Sequence, residues 1–171
     1  LKSIENKAVL FKEFPLIGTE YFNLPVFIQH NDFNPTEPRD GIVTKREDEN
    51  LAEFIPDTNR NCLLEFKNEY LLFLDTIIKA NVQQLHFLAL SGLPIESKNY
   101  TSKDWYISNI QKPIRAFLNG QNLVSTISLA QIKIAEAKFP LLNVVDENSF
   151  YKVLAGLMPE KVPSACSIFS W

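Results

Sequence analysis

The sequence predicts an α+β fold in which a mixed or antiparallel sheet packs against helices. Three observations carry that expectation. Short alternating apolar runs occupy the first third of the chain, and a helical apolar period occupies the middle. Short strand-like runs and one further helical stripe fill the last third. Strands are expected near residues 6–17, 23–30, 41–44 and 122–136, and helices near 60–90, 102–119 and 147–157.

Val9, Leu10 and Phe11, with Phe14, Leu16 and Ile17, give the first strand region. Residues 24–29 give the second, where Leu24, Val26 and Ile28 alternate. The loop Phe33-Asn34-Pro35-Thr36-Glu37-Pro38-Arg39-Asp40-Gly41 follows. Its two prolines stiffen it, because each ring fixes φ and each restricts the residue before it. Asp40-Gly41 supplies turn chemistry ahead of a short third strand, Ile42-Val43-Thr44. Residues 45–50 mix both charge signs and read as a solvated loop or a helix start.

Leu63, Phe66, Tyr70, Leu74 and Ile77 recur at helical spacing, widened by Leu64, Leu71 and Ile78. Val82, Leu85 and Leu88 extend the period until Ser91-Gly92 and Pro94 stop it. Ser102 reads as the N-cap of a helix carrying Trp105, Ile110, Ile114, Phe117 and Leu118 and ending at Asn119-Gly120. Pro113 lies inside it, which leaves either one kinked helix or two short ones. Residues 122–127 and Ile132-Lys133-Ile134 read as strands, with Leu141-Leu142 and Val144-Val145 as a candidate for another. Asp146 caps a closing helix with Phe150, Val153, Leu154 and Leu157 on one face, stopped by Pro159.

With 171 residues, 46 % hydrophobic and 13 of them Phe, the chain suits one domain, residues 1–171, with ample core material. A net charge of −3 lacks the clustered basic field that nucleic-acid or membrane-surface partners require. No run reaches the roughly 18 apolar residues of a membrane span. The polar start, Leu1-Lys2-Ser3-Ile4-Glu5-Asn6, does not read as a signal peptide, so a cytoplasmic location is expected. A start without Met and an end at Ser170-Trp171 lead us to expect a fragment of a longer multidomain protein. Cys62 and Cys166 fit no CxxC or zinc pattern and read as idle thiols, a disulfide or reactive thiol being the alternative.

Catalytic chemistry is sparse. The five glycines, at 18, 41, 92, 120 and 156, never cluster, so no backbone cradle for phosphate is expected and no cofactor is assigned to this chain alone. His30 and His86 have no Cys, Asp or Glu at metal-ligand spacing, and no metal is expected. His86 reads as a packed helix residue, and His30, beside Asn31 and Asp32, as the better functional candidate of the two. Glu20 and Asp32 are read as surface groups before they are read as a catalytic pair. An independent enzyme would need a deep polar pocket gathering His30, Asp32 and Glu20. Phe11, Phe14, Tyr21, Phe22, Phe27 and Phe33 have few basic neighbours, and so read as core or domain contact rather than as a base-stacking platform.

Three pieces of the first quarter carry a resemblance: Phe14-Pro15-Leu16-Ile17-Gly18-Thr19-Glu20, then Leu24-Pro25-Val26-Phe27-Ile28, then residues 33–41. In that order they resemble the segment that follows the ATPase domain in sacsin-like proteins of the GHKL, heat-shock-chaperone-like, ATPase superfamily. Weaker similarity continues through Ser102-Lys103-Asp104-Trp105, Asn109-Ile110-Gln111-Lys112-Pro113-Ile114-Arg115 and Phe150-Tyr151-Lys152-Val153-Leu154. The resemblance implies a middle, transducer-like segment, with its own N-terminal ATPase domain and a client protein as partners. ATP and Mg would sit in that preceding domain, held by an Asn-bearing helix, an aspartate-glycine motif and a glycine-rich lid. Arg39 would be the phosphate-sensing arginine, in a loop shaped by Asn34, Thr36 and Gly41. A permanently charged guanidinium fork suits that task. The chaperone loop is not flanked by prolines, and a structural Arg39–Asp40 or Arg39–Glu37 contact is the competing role. The competing function is a protein-interaction module docking through an apolar face around Phe22, Phe33 and the closing helix.

Overall fold

The computed structural model describes residues 7–22, 24, 26–46, 54–80, 101–140 and 147–170. Expectations for Pro25, residues 47–50, residues 81–100 with His86 and Gly92, and residues 141–146 with Asp146 lie outside the described residues. The structure is α+β, and among the described residues its strands form two small two-stranded sheets. The chain divides into two compact units, and the division falls between Ile114 and Arg115.

In the first unit β1 (Leu10–Phe11) pairs in parallel with β2 (Ile28–Gln29), Leu10 opposite Ile28 and Phe11 opposite Gln29. The long first strand is cut short because the chain turns back on itself. Phe11 and Pro15 form an isolated bridge, and the Leu16 N–H returns to the Leu10 carbonyl at 2.9 Å. Gly18 makes the next turn with φ 102°, a backbone angle that L side chains resist, and its N–H donates to Glu20 Oε1 at 3.2 Å. Thr19, fully buried, closes the motif. Its hydroxyl accepts the Val9 and Leu10 N–H groups, each at 3.1 Å, and donates to the Leu16 carbonyl at 2.7 Å. A single 3₁₀ turn, Glu20–Phe22, leads on toward β2.

Helix α1 (Phe54–Lys79) starts earlier than its apolar period predicts. Pro56 and Asp57 suit a first turn, where a missing N–H is harmless and a carboxylate meets the positive helix end. Its buried line runs through Asn59, Cys62, Leu63, Tyr70 and Leu74. A π turn (Ile107–Gln111) packs against it, within a continuous helical stretch that begins with α2 (Lys103–Tyr106) and runs on into α3 (Lys112–Asn119). The wide turn sits immediately before Pro113, whose ring would clash with the carbonyl four residues back in a regular helix. The helix therefore passes the proline without breaking. Ser102 makes no side-chain cap. Its N–H donates instead to Thr44 Oγ1 at 2.9 Å.

Leu10, Leu16, Phe22, Phe33, Ile42, Leu63, Leu74 and Ile110 fill the core of this unit. Phe22 meets Tyr106 edge-on at 5.0 Å between ring centroids. Burial of Phe22 and Phe33 removes both from the docking face expected around them.

In the second unit β3 (Val124–Ser125) pairs antiparallel with β4 (Gln131–Ile132). The hairpin tip is held against residues 159–163. Ile127 N–H reaches the Val162 carbonyl at 3.0 Å, Ser128 N–H reaches Pro159 at 3.2 Å, and Thr126 bridges Pro163. Helix α4 (Glu147–Leu157) has the expected span, and a short unexpected helix, α5 (Ala165–Ser170), follows. On the apolar face of α4, Phe150, Val153 and Leu157 are 36, 58 and 72 % exposed, and Leu129 at the hairpin tip is exposed too. No helix among the described residues is long and apolar enough to cross a membrane.

Replacing Thr19 by valine keeps its shape but strands the Val9 and Leu10 N–H groups. Unfolding in urea should show a loss of about 3 kcal/mol, since each stranded buried donor costs roughly 1–3 kcal/mol.

Candidate functional site

The residues 33–41 loop is a closed hairpin anchored by the buried Phe33. Pro35 and Ile42 bridge across its base, and the Thr36 N–H donates to the Gly41 carbonyl at 3.0 Å. The Arg39 N–H returns to the Thr36 carbonyl at 2.8 Å. Thr36 Oγ1 organises the tip by donating to Asp40 Oδ1 at 2.7 Å and accepting the Asp40 N–H at 3.2 Å. Thr36 and Gly41 thus shape the loop by hydrogen bonding, and Gly41 is buried.

Arg39 occupies the left-handed region at φ 57°, which costs a residue with a Cβ roughly 1–2 kcal/mol. Its side chain is exposed, and the guanidinium carbon lies 4.5 Å from the centroid of the Phe14 ring. Two of the three sequence motifs of the first quarter, residues 14–20 and residues 33–41, therefore meet in a cation–π contact. Neither structural pairing expected of Arg39 is present: among the described residues it forms no ion pair with Asp40 or Glu37.

The legs of the hairpin are held by α1. Asn59 is fully buried, and its carboxamide makes three hydrogen bonds. Oδ1 accepts the Asn34 N–H at 2.8 Å, and Nδ2 donates to the carbonyls of Asn34 and Val43, each at 2.9 Å. The next residue, Arg60, donates from Nε to the Thr44 carbonyl at 2.8 Å and lies 5.0 Å above the Trp105 ring. Burial, and then the Arg46 charge, hold the Arg60 guanidinium below its ordinary pKa, with Asp57 pulling the other way. Arg46 pairs with Asp57 Oδ1 at 2.6 Å in an exposed contact that adds little stability.

At the root of the loop His30 bridges β2 and α1. Nδ1 accepts the Asp32 N–H at 3.1 Å, and Nε2 lies 3.1 Å from Glu65 Oε2. A shallow open depression here is lined by Gln29, His30, Asn31 and Asp32. Glu20 does not line it and accepts the Gly18 N–H instead. Among the described residues no group of His, Cys, Asp and Glu side chains could hold a metal ion. Among the described residues neither Cys62, which is buried, nor Cys166 is in a disulfide. Burial, reinforced by Asp32 and Glu65, pushes the Cys62 thiol up to about 11, which keeps it protonated and unreactive at neutral pH.

Sequence reasoning missed Asn59, Arg60 and the Phe14 partnership. Asn59 carried a legible signal, since it lies four residues before Leu63 on the apolar line of α1. A polar side chain on a core line needs a partner, and the hairpin supplies it.

No protein-family model, no curated protein and no solved structure matches this chain.

Asn59→Leu leaves the Asn34 N–H and two carbonyls without partners. It should lower stability in urea by about 3 kcal/mol, and hydrogen exchange at the Asn34 amide should accelerate.

Proposed function

We propose that this chain is the middle, transducer-like segment of a sacsin-like GHKL ATPase. In this reading it couples a preceding ATP-binding domain, which holds ATP and Mg, to conformational change or contact with a client protein. Arg39 is the residue that meets the terminal phosphate. A cytoplasmic location belongs to the same proposal.

One observation carries it: an exposed arginine held in a strained, hydrogen-bonded hairpin and braced on an aromatic ring. A ring face takes up none of the guanidinium's N–H donors in conventional hydrogen bonds, so they remain available to phosphate oxygens. The carboxylate next to it, Asp40, is engaged by Thr36 Oγ1. Bracing fixes the position of the charge before any ligand arrives, and preorganised charge is what stabilises a developing phosphoryl anion.

In the full-length ATPase, Arg39→Ala and Arg39→Gly should each slow turnover by about 100-fold, the loss typical of removing one preorganised donor. In the 171-residue chain Arg39→Gly should change stability by less than about 1 kcal/mol, because relief of the left-handed strain offsets the lost cation–π contact. Unchanged turnover in both variants would sink the phosphate-sensing role.

A second reading, a protein-interaction module, is favoured by the exposed Phe150, Val153 and Leu157 stripe on α4. On that reading Val153→Asp combined with Leu157→Asp abolishes binding of the parent protein's N-terminal domain in titration calorimetry, whereas Arg39→Ala leaves it intact.

A further inference from the structure

The turn at residues 30–33 joins the end of β2 to the Arg39 hairpin, and it depends on one imidazole in one protonation state. The Phe33 N–H closes the turn on the His30 carbonyl at 3.3 Å, and the Asp32 N–H points at His30 Nδ1. A ring nitrogen that accepts an N–H carries no proton of its own. Nδ1 is therefore bare, and Nε2 carries the hydrogen that Glu65 accepts.

Two acidic residues contact the ring or its turn: Glu65 of α1 through Nε2, and Asp32 of the turn itself through its N–H. Both also act on the Cys62 thiol of α1, as does Lys12 just after β1. The Cys62 thiol stays neutral below about 11, so it contributes no charge at physiological pH.

We propose that His30 is a pH-sensitive latch on this turn: protonation puts a hydrogen on Nδ1, sets it donor against donor with the Asp32 N–H, and breaks that contact. The imidazolium keeps its Nε2 contact with Glu65, so the ring stays docked on α1 while the peptide beside it lets go. Asn34 Nδ2 donates to the Asp32 carbonyl at 3.2 Å, which carries the rearrangement to the base of the hairpin that Asn59 clamps. Protonation of the ring thereby loosens the root of the hairpin that carries Arg39. The latch is a property of the turn and holds whether or not Arg39 meets a phosphate.

Nitrogen-15 NMR of the 171-residue chain from pH 8 to pH 5 tests this directly. The expected result is the Nε2–H tautomer at pH 8, both ring nitrogens protonated at pH 5, and an Asp32 amide resonance that moves with the same midpoint as the ring. His30→Asn places a non-titrating oxygen near the Nδ1 position, and its Asp32 amide should then stay in place. An Nδ1–H tautomer at pH 8, an Asp32 amide indifferent to the ring, or a transition that persists in His30→Asn would each overturn the latch. The tautomer and the Asp32 response of the unsubstituted chain decide the matter even if His30→Asn does not fold. A negative result leaves the ATPase test of Arg39 unaffected, and the reverse is equally true.

Discussion

The carboxamide of Asn59 is the constraint on which the loop region depends. A buried amide without partners is among the more damaging features a core can contain, while one with its donors and acceptor engaged specifies a single arrangement. Asn59 reads the backbone of Asn34 from both sides, as a neighbouring strand would, and its remaining N–H takes the Val43 carbonyl on the opposite leg. Helix and hairpin are thus fixed to each other without a sheet between them. Arg60 then extends the connection to Thr44, and Thr44 Oγ1 extends it to the start of α2 through the Ser102 N–H. Two adjacent residues of one helix turn therefore set the position of the hairpin and the entry of the next helix.

Thr19 applies the same device at the other end of the unit. Both strands of the first sheet are two residues long, too short for a ladder to satisfy the backbone around them. A hydroxyl that accepts two N–H groups and donates to one carbonyl replaces the missing strand partner. The fold is α+β in class, yet much of its backbone accounting in this unit is done by Thr19, Thr36, Thr44 and Asn59. Small sheets joined by proline-directed turns need such residues, because Pro15, Pro35 and Pro38 interrupt any regular pairing.

This explains which parts of the structure were legible in the sequence. Helix α4 was legible in span because its period is clear and Pro159 stops it. Its sidedness was not, because a period reveals an apolar stripe without revealing whether anything covers it. The long strands failed because alternation near residues 6–17 is overridden by a reversal that Pro15 and Gly18 impose. At Pro113 the sequence offered a kink or a break, and a π turn supplied a third solution by widening the helix just before the ring. The loop itself was visible from its prolines. Its partners were not, since Phe14 and Asn59 each lie 25 residues from the loop positions they touch, beyond the reach of local pattern.

The energetics of Arg39 bear on the loop as well. Its left-handed backbone costs roughly 1–2 kcal/mol, whereas an exposed cation–π contact returns roughly 0.5–1 kcal/mol. Glycine would occupy the same turn without the penalty, and asparagine with less of it. The fold therefore gains nothing on balance from arginine at this position. Backbone strain at a residue that the fold does not require motivates a functional hypothesis for that residue. The group retained here is a permanent cation, positioned in advance and bonded to no carboxylate among the described residues. On the proposed phosphate-sensing role, that cation would meet an anionic oxygen from outside the chain.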